Sequence, residues 1–373
     1  MEGLNGILRS EERIVLSLRS LYGRYGYSRY KMGKFEEYDF YAHNKDFLGG
    51  EAVLTFTDMN GRLMALKPDI TLSVIRHIRD VPGVVNKVFY EERVYRVPRR
   101  AQAFREIMQL GLECVGAVDD YCVWEVLMLA AESLSSIGRN CVLDVSHLDI
   151  LSAAVDALEL PEEAREEVMR CVEGRSLQGL ADICAGAGAD PERTEALIRL
   201  ISAYGRPDEV LPLLRDLPGL PAGEIARLER LVDALRGTAA EDMLRIDFSL
   251  VSNLEYYNGI VFRGFVEGAP TRVLSGGQYD RLMRRMGRSS RGIGFAVYLD
   301  ALERLGGAAP EFDVDDVLLC GEGDALADLC AAVRELTDQG RSVSVQGALP
   351  QGVKFRRLLR LSGGRVKAVE EHE

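Results

Sequence analysis

The sequence lacks the features that mark several classes of protein. No segment has the apolar length of a membrane span, and the first residues do not have the shape of a signal peptide. The seven cysteines are scattered without a Cys-x-x-Cys pair, and the four histidines show no metal-ligand spacing. We therefore expect a cytoplasmic protein with reduced thiols, no metal site and no other cofactor.

Basic residues are in the minority as well. Lys and Arg number 46 against 58 Asp and Glu, so the formal net charge is −12, which does not point to a nucleic-acid binder, although a local basic patch can suffice for one. The remaining composition is that of an ordinary globular protein, with 47% hydrophobic and 28% charged residues. A chain of 373 residues is long enough for two or three domains with a sizeable core.

Residues 244–280 carry the clearest strand pattern in the chain. Apolar and polar side chains alternate over 244–250, and a second strand is predicted at 259–266. The run between them is too polar and aromatic for a plain hairpin, and it contains the adjacent tyrosines Tyr256 and Tyr257. On a strand these two side chains point to opposite faces, so one would line a pocket while the other packs.

A second informative stretch is 87–116, which predicts a strand, a basic loop and another strand. In its second strand, Gln109 and Glu113 flank a glycine on one face. If they are buried, they need partners, because an unpaired buried charge is costly. A bound ammonium or imidazole would satisfy them, and so would the loop arginines. Earlier in the chain Asp69 precedes a helix, where it can act as an N-cap or as a ligand-binding group.

Other elements are predicted from periodicity, turn residues and capping residues. We expect a hairpin at 53–66 with Asn-Gly in its turn, a helix at 119–137, a strand at 141–146, mainly helices over 149–240 and a helix at 294–302. For the small C-terminal region we expect strands at 314–320, 342–345 and 365–369, with helices at 324–339 and 353–361.

Two runs, Leu254–Tyr257 and Gly276–Asp280, resemble the signature of the histidyl-tRNA synthetases and their paralogues. In that family a Leu-Asp-Tyr-Tyr run and a Gly-Gly-Arg-Tyr-Asp run wall the histidine pocket. The resemblance implies an α+β fold, with a class II aminoacyl-tRNA synthetase-like antiparallel sheet and flanking helices. It implies core segments at 1–148 and 241–308, a helical insertion at 149–240, and a small α/β domain at 312–373 that is similar to a truncated anticodon-binding domain.

The same resemblance implies an amino-acid site. The positions that match the family's histidine contacts are Asp69, Thr71, Arg96, Gln109, Glu113, Tyr256 and Tyr257. The second run adds a candidate pocket wall formed by Gly276, Gly277 and Tyr279. These assignments come from the matched motifs.

At four positions the synthetase's ATP chemistry is missing. Ser252 replaces an arginine that helps activate the amino acid, and Pro98 replaces a glutamate that helps hold adenine. Tyr298 replaces a glycine that leaves room for adenine, and Ala301 replaces an arginine that stacks on the base. Removing one group that stabilises transition-state charge costs about 3 kcal/mol or more. We therefore expect that the chain does not form an aminoacyl-adenylate.

A retained amino-acid pocket without ATP chemistry is similar to the regulatory subunits of ATP phosphoribosyltransferase, which are paralogues of the synthetase. This resemblance implies a non-catalytic chain that a short-form catalytic subunit needs for activity in the first step of histidine biosynthesis, and that carries feedback inhibition by histidine. It also implies a homodimer within a hetero-oligomer, without membrane association or tRNA binding. A divergent histidyl-tRNA synthetase and a stand-alone histidine-binding paralogue remain as alternatives.

Overall fold

The structure, a computed structural model, describes residues 10–48, 52–96, 104–251, 256–302, 312–321 and 323–372. The chain divides into two compact units, Met1–Leu305 and Gly306–Glu373. Pro98 and Ser252 lie outside the described residues. Within the described ranges, no helix is both long enough and apolar enough to cross a membrane.

The first unit contains most of the helices. They are α1 Ser10–Arg24, α2 Tyr38–Ala42, α3 Ile70–His77, α4 Asp120–Ile137, α5 Leu148–Asp156, α6 Glu162–Glu173, α7 Leu177–Gly186, α8 Pro191–Ser202, α9 Pro207–Arg215, α10 Ala222–Ala234, α11 Ala240–Met243, α12 Asp280–Arg285 and α13 Leu299–Leu302, with a short 3-10 helix at Lys45–Leu48. The run from α5 to α10 confirms that 149–240 is mainly helical.

The strands of this unit form two sheets. They are β1 Ser28–Arg29, β2 Phe35–Glu37, β3 Thr55–Thr57, β4 Leu63–Leu66, β5 Val85–Arg96, β6 Arg105–Gly116, β7 Cys141–His147, β8 Tyr204–Gly205, β9 Leu244–Asp247, β10 Asn258–Val266, β11 Leu274–Gln278 and β12 Arg291–Tyr298. The small sheet has the order β2-β4-β3, and its antiparallel β3–β4 pair is the predicted hairpin.

The large sheet has nine strands in the order β1-β5-β6-β12-β11-β10-β7-β9-β8. Its six central strands, β5 to β7 in that order, are antiparallel throughout. The two strands predicted within 87–116 are confirmed by β5 and β6, which pair along their whole length from Val85 opposite Gly116 to Arg96 opposite Arg105. The predicted basic loop between them lies mostly outside the described residues. The long β6 strand thus lies inside the sheet, where one of its faces can carry a site.

The other face of the sheet packs against α4. Asp119 begins this helix by accepting a hydrogen bond from the Cys122 amide at 3.0 Å, and Gly138 follows its last residue, as predicted. Leu127 and Leu134 of the helix are fully buried in a core that continues into the sheet and the helices that follow. This packing leaves the opposite face of the sheet for the second core and the polar pocket described below.

Strand β12 corrects a prediction. Residues 294–302 were expected to form a helix, whereas the chain stays extended through Tyr298 and only the short α13 follows. The reason is that β12 pairs on both sides, with β11 and with β6. Ile293, Phe295 and Val297 alternate into the main core, a period of two that is typical of a strand.

The second unit is a four-stranded sheet with one helix. Its elements are β13 Val314–Leu319, α14 Leu326–Asp338, β14 Val343–Gln346, β15 Phe355–Ser362 and β16 Arg365–Glu371. The sheet order is β14-β13-β15-β16, with β13 parallel to both of its neighbours and β15 antiparallel to β16. The helix predicted at 353–361 is wrong, because this segment is β15.

Candidate functional site

A polar cavity of about 60 Å3 lies in the first unit, on the face of the large sheet opposite α4. Strands β6, β11 and β12 form its floor, and the start of α3 and the residues before β10 form its walls. All the positions matched to histidine contacts line it, namely Asp69, Thr71, Arg96, Gln109, Glu113, Tyr256 and Tyr257. Residues from three separate stretches of the chain therefore meet in one place.

Glu113 is the most buried charged group of this cavity, with 2% of its surface exposed. Its two carboxylate oxygens accept hydrogen bonds from hydroxyls, one from Thr71 and one from Tyr279, each at 2.6 Å. Burial raises the pKa of Glu113 to about 8, although the two hydroxyl donors oppose this rise. A cationic ligand beside this group would favour its ionised form, because opposite charges attract strongly where water is excluded.

Asp69 caps a helix and also lines the cavity. Its Oδ1 accepts a hydrogen bond from the Leu72 amide at 2.9 Å, which makes it the N-cap of α3. Its Oδ2 faces Arg96, whose nearer guanidinium nitrogen is 3.6 Å away. Burial raises the pKa of Asp69, and the Arg96 charge partly offsets this effect. The Arg96 Nε also donates to the Pro68 carbonyl at 3.0 Å, so the guanidinium is held at the cavity edge.

Three tyrosines form the aromatic part of the wall. The rings of Tyr256 and Tyr257 lie 4.4 Å apart, and the Tyr256 ring lies 6.2 Å from that of Tyr279. The expectation that the adjacent tyrosines point to opposite faces is wrong, because both precede the first residue of β10 and both line the cavity. Their side chains therefore need not follow the alternation of a strand.

Three glycines of β11 and β12 lie at this cavity, at positions where a side chain would not fit. Gly276 lines it, and a Cβ there would collide with the Gly294 carbonyl and the Phe295 side chain. Gly277 is paired with Gly294 and so lies on the cavity face of β11, where a Cβ would lie 2.9 Å from Tyr257 Cδ1. At Gly294 a Cβ would strike the Glu113 carboxylate. The absence of side chains at Gly277 and Gly294 leaves the space that Tyr257 and Glu113 occupy.

Tyr298 lies at the rim of the same cavity, on β12. Its hydroxyl is 2.7 Å from the Ser275 hydroxyl, and the two form a hydrogen bond across β11 and β12. Ala301 is partly buried against the main core. A tyrosine ring and a methyl group thus stand at the two positions where the sequence comparison expects the synthetase's glycine and arginine.

Several lining residues were not found by motif matching. They are Ile70, Tyr90, Ser275, Gly294, Phe295 and Ala296. A period-two pattern in 293–298 could have identified two of them, because Gly294, Ala296 and Tyr298 alternate with the apolar core residues of β12. Tyr90 has no such signal, since it looks like an ordinary core aromatic of β5.

Two arginines that follow the Gly276–Asp280 run, Arg288 and Arg291, contact other parts of the chain. Arg288 donates to the Ile75 carbonyl at 3.0 Å, and Arg291 donates to Asp280 at 3.1 Å. Such contacts favour a structural role over anion binding. Among the described residues, no group of three or more His, Cys, Asp or Glu side chains is placed to hold a metal ion.

Comparisons with known proteins agree with this architecture. The histidyl-tRNA synthetase family model matches residues 4–302. The ATP phosphoribosyltransferase regulatory subunit of Moorella thermoacetica is 31% identical over 79% of this chain and 77% of its own length. A Bacillus halodurans structure, described as an ATP phosphoribosyltransferase regulatory subunit/histidyl-tRNA synthetase, superposes with a TM-score of 0.78 at 20% identity, covering 94% of this chain and 93% of that one.

A chain of an ATP phosphoribosyl transferase complex from Thermotoga maritima has the same fold. It superposes with a TM-score of 0.62 at 21% identity, over 78% of this chain and 97% of that chain. The two solved structures confirm the predicted class II synthetase-like fold, with its large antiparallel sheet and flanking helices.

Proposed function

Because the chain belongs to the histidyl-tRNA synthetase family, and within it to the ATP phosphoribosyltransferase regulatory subunits, we propose that it regulates an ATP phosphoribosyltransferase by binding histidine. In this proposal a separate, short-form catalytic subunit carries out the first step of histidine biosynthesis in the cytoplasm. That subunit needs this chain for activity, and histidine bound to this chain inhibits it.

The observation that carries the proposal is the composition of the cavity around Glu113. A buried carboxylate with a pKa of about 8 and a second carboxylate, Asp69, suit a ligand with a positively charged amino group. Arg96 at the edge suits the ligand's own carboxylate. The tyrosines supply flat surfaces and hydroxyls for an imidazole ring. The carboxylates, the arginine and the tyrosines thus match the amino group, the carboxylate and the imidazole ring of histidine.

The rim of the cavity supports a regulatory role over catalysis. Adenylate formation needs positive groups that stabilise the transferring phosphates, and each is worth about 3 kcal/mol or more. Here the rim position carries Tyr298, hydrogen-bonded to Ser275, and the apolar Ala301 lies against the core. The chemistry is therefore assigned to the partner. The Thermotoga maritima relative, which was solved as part of an ATP phosphoribosyl transferase complex, is consistent with such a partner.

The proposed inhibition works through a change in the cavity walls. Histidine would draw the residues before β10 and the start of α3 toward the ligand, since both contribute side chains to it. The catalytic subunit would respond to this shift, in an assembly that we expect to contain a homodimer of this chain. A conformational effect of this kind requires histidine to bind the inhibited and the active assemblies with different affinities.

The test combines calorimetry with enzyme assays. Histidine is titrated into the purified chain alone and into its mixture with a short-form ATP phosphoribosyltransferase, and the partner's turnover is then measured with and without histidine. We expect saturable binding, partner activity that depends on this chain, and suppression of that activity by histidine. If this chain activates the partner but does not bind histidine, it remains a regulatory subunit, but histidine does not inhibit through it. ATP-dependent activation of histidine by the chain alone would instead identify a divergent synthetase, and absence of any partner effect would favour a stand-alone histidine-binding protein.

A further inference from the structure

A second cavity, with a volume of about 430 Å3, lies in the first unit between α4, α10 and the adjoining ends of β7 and β10. It shares no lining residue with the cavity around Glu113. Volumes of about 300–1,000 Å3 with mainly apolar walls are typical of sites for small organic molecules. Neither the sequence motifs nor the proposed regulatory function uses this cavity.

The walls of this cavity are largely apolar and contain an aromatic pair. Leu228, Leu231 and Ile260 contribute buried side chains. Tyr121 and Trp124 lie with their ring centroids 5.7 Å apart and their planes inclined by 32°. The Trp124 indole N–H donates to the Ala234 carbonyl at 2.8 Å, so the indole ring is fixed in place. A flat, rigid wall of this kind suits an aromatic ligand.

A buried histidine lines the inner part of the cavity. His147 is only 1% exposed, and neither of its ring nitrogens makes a hydrogen bond within the described part of the chain. Glu224 Oε2 lies 3.2 Å from Nε2 but outside hydrogen-bond geometry. Burial lowers the pKa of His147, which favours the neutral ring with one donor and one acceptor. Buried polar atoms without partners are rare in native proteins, so a ligand atom is a reasonable partner for this ring.

Two arginines and one aspartate line this cavity, and Glu224, beside His147, lies 3.8 Å from Arg227. Arg227 donates to Asp120 at 2.7 Å, so the charges of these two residues compensate each other. Arg230, one helical turn further along α10, is exposed and also lines the cavity. A guanidinium at the entrance favours an anionic group on the ligand, which can remain partly hydrated there.

We propose that this cavity binds a small aromatic or heteroaromatic anion. The ring of the ligand lies against Trp124 and the leucines of α10, a polar ring atom meets His147, and the acidic group lies near Arg230. This site is independent of the proposed histidine pocket, and its occupant is a metabolite-sized molecule.

The test uses the fact that Trp124 is the only tryptophan of the chain, so tryptophan fluorescence reports on this cavity. Two probes are titrated, the anion 8-anilinonaphthalene-1-sulfonate and its uncharged relative N-phenyl-1-naphthylamine. We expect saturable quenching of Trp124 by both probes in the native chain. Arg230→Ala should lower the affinity for the anionic probe at least fivefold and change the affinity for the uncharged probe by less than twofold.

A blocking variant separates this cavity from nonspecific dye binding. Ala234 is exposed at the mouth, so Ala234→Phe fills the entrance with little expected effect on folding. Ala222→Phe is the matched control, since Ala222 is exposed on the same helix and does not line the cavity. We expect at least tenfold weaker binding of both probes to Ala234→Phe and native binding to Ala222→Phe.

Three results would overturn the proposal. The first is unsaturable quenching in the native chain, and the second is native affinity in a folded Ala234→Phe variant. The third is an equal loss of both probes in Arg230→Ala, which would remove the preference for an anion. If Ala234→Phe does not fold, as judged by circular dichroism, Arg230→Glu gives the decision, because reversing this charge should weaken the anionic probe more than Arg230→Ala does.

Discussion

Glu113 lies between the hydroxyls of Thr71 and Tyr279, in a cavity that holds a second carboxylate, Asp69. The folded chain keeps a proton on Glu113 up to a pH of about 8, whereas the ordinary pKa of this group is 4.5. Between these two values the folded state binds more protons than the unfolded state. The free energy of unfolding must therefore fall as the pH rises through this window.

The corresponding prediction concerns Glu113→Gln, which removes the titrating group and keeps an amide that can still accept hydrogen bonds. From pH 5 to pH 8 the native chain should lose on the order of a few kcal/mol of stability relative to the variant, since each unit of pKa shift is worth about 1.4 kcal/mol. Urea unfolding at both pH values measures this difference. Parallel pH profiles for the two chains would show that Glu113 does not titrate in this range.

We expect Tyr298 to limit the size of the ligand that the candidate pocket accepts. Its ring lines the cavity, and its hydroxyl holds Ser275 at 2.7 Å. We expect the native chain to bind histidine and to exclude a non-hydrolysable histidyl-adenylate analogue, because the ring occupies the space that the nucleotide would need. Tyr298→Gly should gain at least tenfold in affinity for the analogue, measured by calorimetry.

The control for this prediction is Tyr298→Phe, which retains the ring and loses only the hydroxyl. It should exclude the analogue as the native chain does. If the native chain binds the analogue as tightly as histidine, the ring does not limit the size of the ligand, and the argument from Tyr298 against ATP chemistry fails.

At the scale of elements, glycines of the central strands β11 and β12 leave room on the cavity face of the sheet for side chains of the neighbouring strands. Gly294 lies opposite Glu113 in the β12–β6 register and opposite Gly277 in the β11–β12 register. A side chain at 294 would collide with the Glu113 carboxylate. The position of the buried carboxylate therefore depends on the absence of a side chain at 294.

We expect Gly294→Ala to lower the free energy of unfolding by about 1–3 kcal/mol through overpacking and to abolish histidine binding. The matched control is Gly23→Ala in α1, where a Cβ would meet no atom within 4 Å. Alanine there should stabilise the chain by about 0.5–1 kcal/mol, because it is the better helix former. Thermal unfolding and calorimetry measure the two effects, and native behaviour of Gly294→Ala would show that the Glu113 carboxylate can move aside.

Sequence patterns predicted two strands within 87–116 and one at 259–266, and the structure contains all three. In β6, Gln109 and Glu113 share one face and mark its period of two. The segment at 353–361, for which a helix is predicted, forms strand β15. In the structure Leu359 and Leu361 pack in one small core, whereas Leu358 packs in another on the opposite face. The adjacent buried residues Leu358 and Leu359 interrupt the alternation that would have marked a strand.

The sequence predicted many of the residues that line the candidate cavity, but it did not predict all of the cavity's geometry. Motif matching found the carboxylates of Asp69 and Glu113, which the structure brings into one cavity. It could not predict that Tyr256 and Tyr257 share a wall, because their placement depends on where β10 begins. Nor could it identify Tyr90, whose access to the cavity depends on the missing side chain of Gly111, where a Cβ would crowd the Tyr90 hydroxyl. Such contacts arise from pairing across strands that are far apart in sequence.

At the scale of the whole molecule, the proposed regulation requires that histidine and the catalytic subunit influence each other's binding. If histidine changes the affinity of this chain for its partner by some factor, the partner must change the affinity for histidine by the same factor. Typical coupling free energies of about 1–3 kcal/mol correspond to factors of about 5–150. If a histidine site on this chain is coupled to the partner, the change in partner affinity caused by histidine must equal the change in histidine affinity caused by the partner.

The measurement is a closed cycle of four titrations, with histidine titrated into the free chain and into the assembled complex, and partner titrated into the free and the histidine-saturated chain. We expect the partner to change the histidine affinity at least fivefold, and histidine to change the partner affinity by the same factor. Glu113→Gln is the internal control, because it should remove the effect of histidine on assembly while the chain still binds the partner. Equal histidine affinities in the free chain and the complex would mean that inhibition, if it occurs, does not act through this cavity by way of assembly. A change that persists in Glu113→Gln would place the coupled histidine site elsewhere in the assembly.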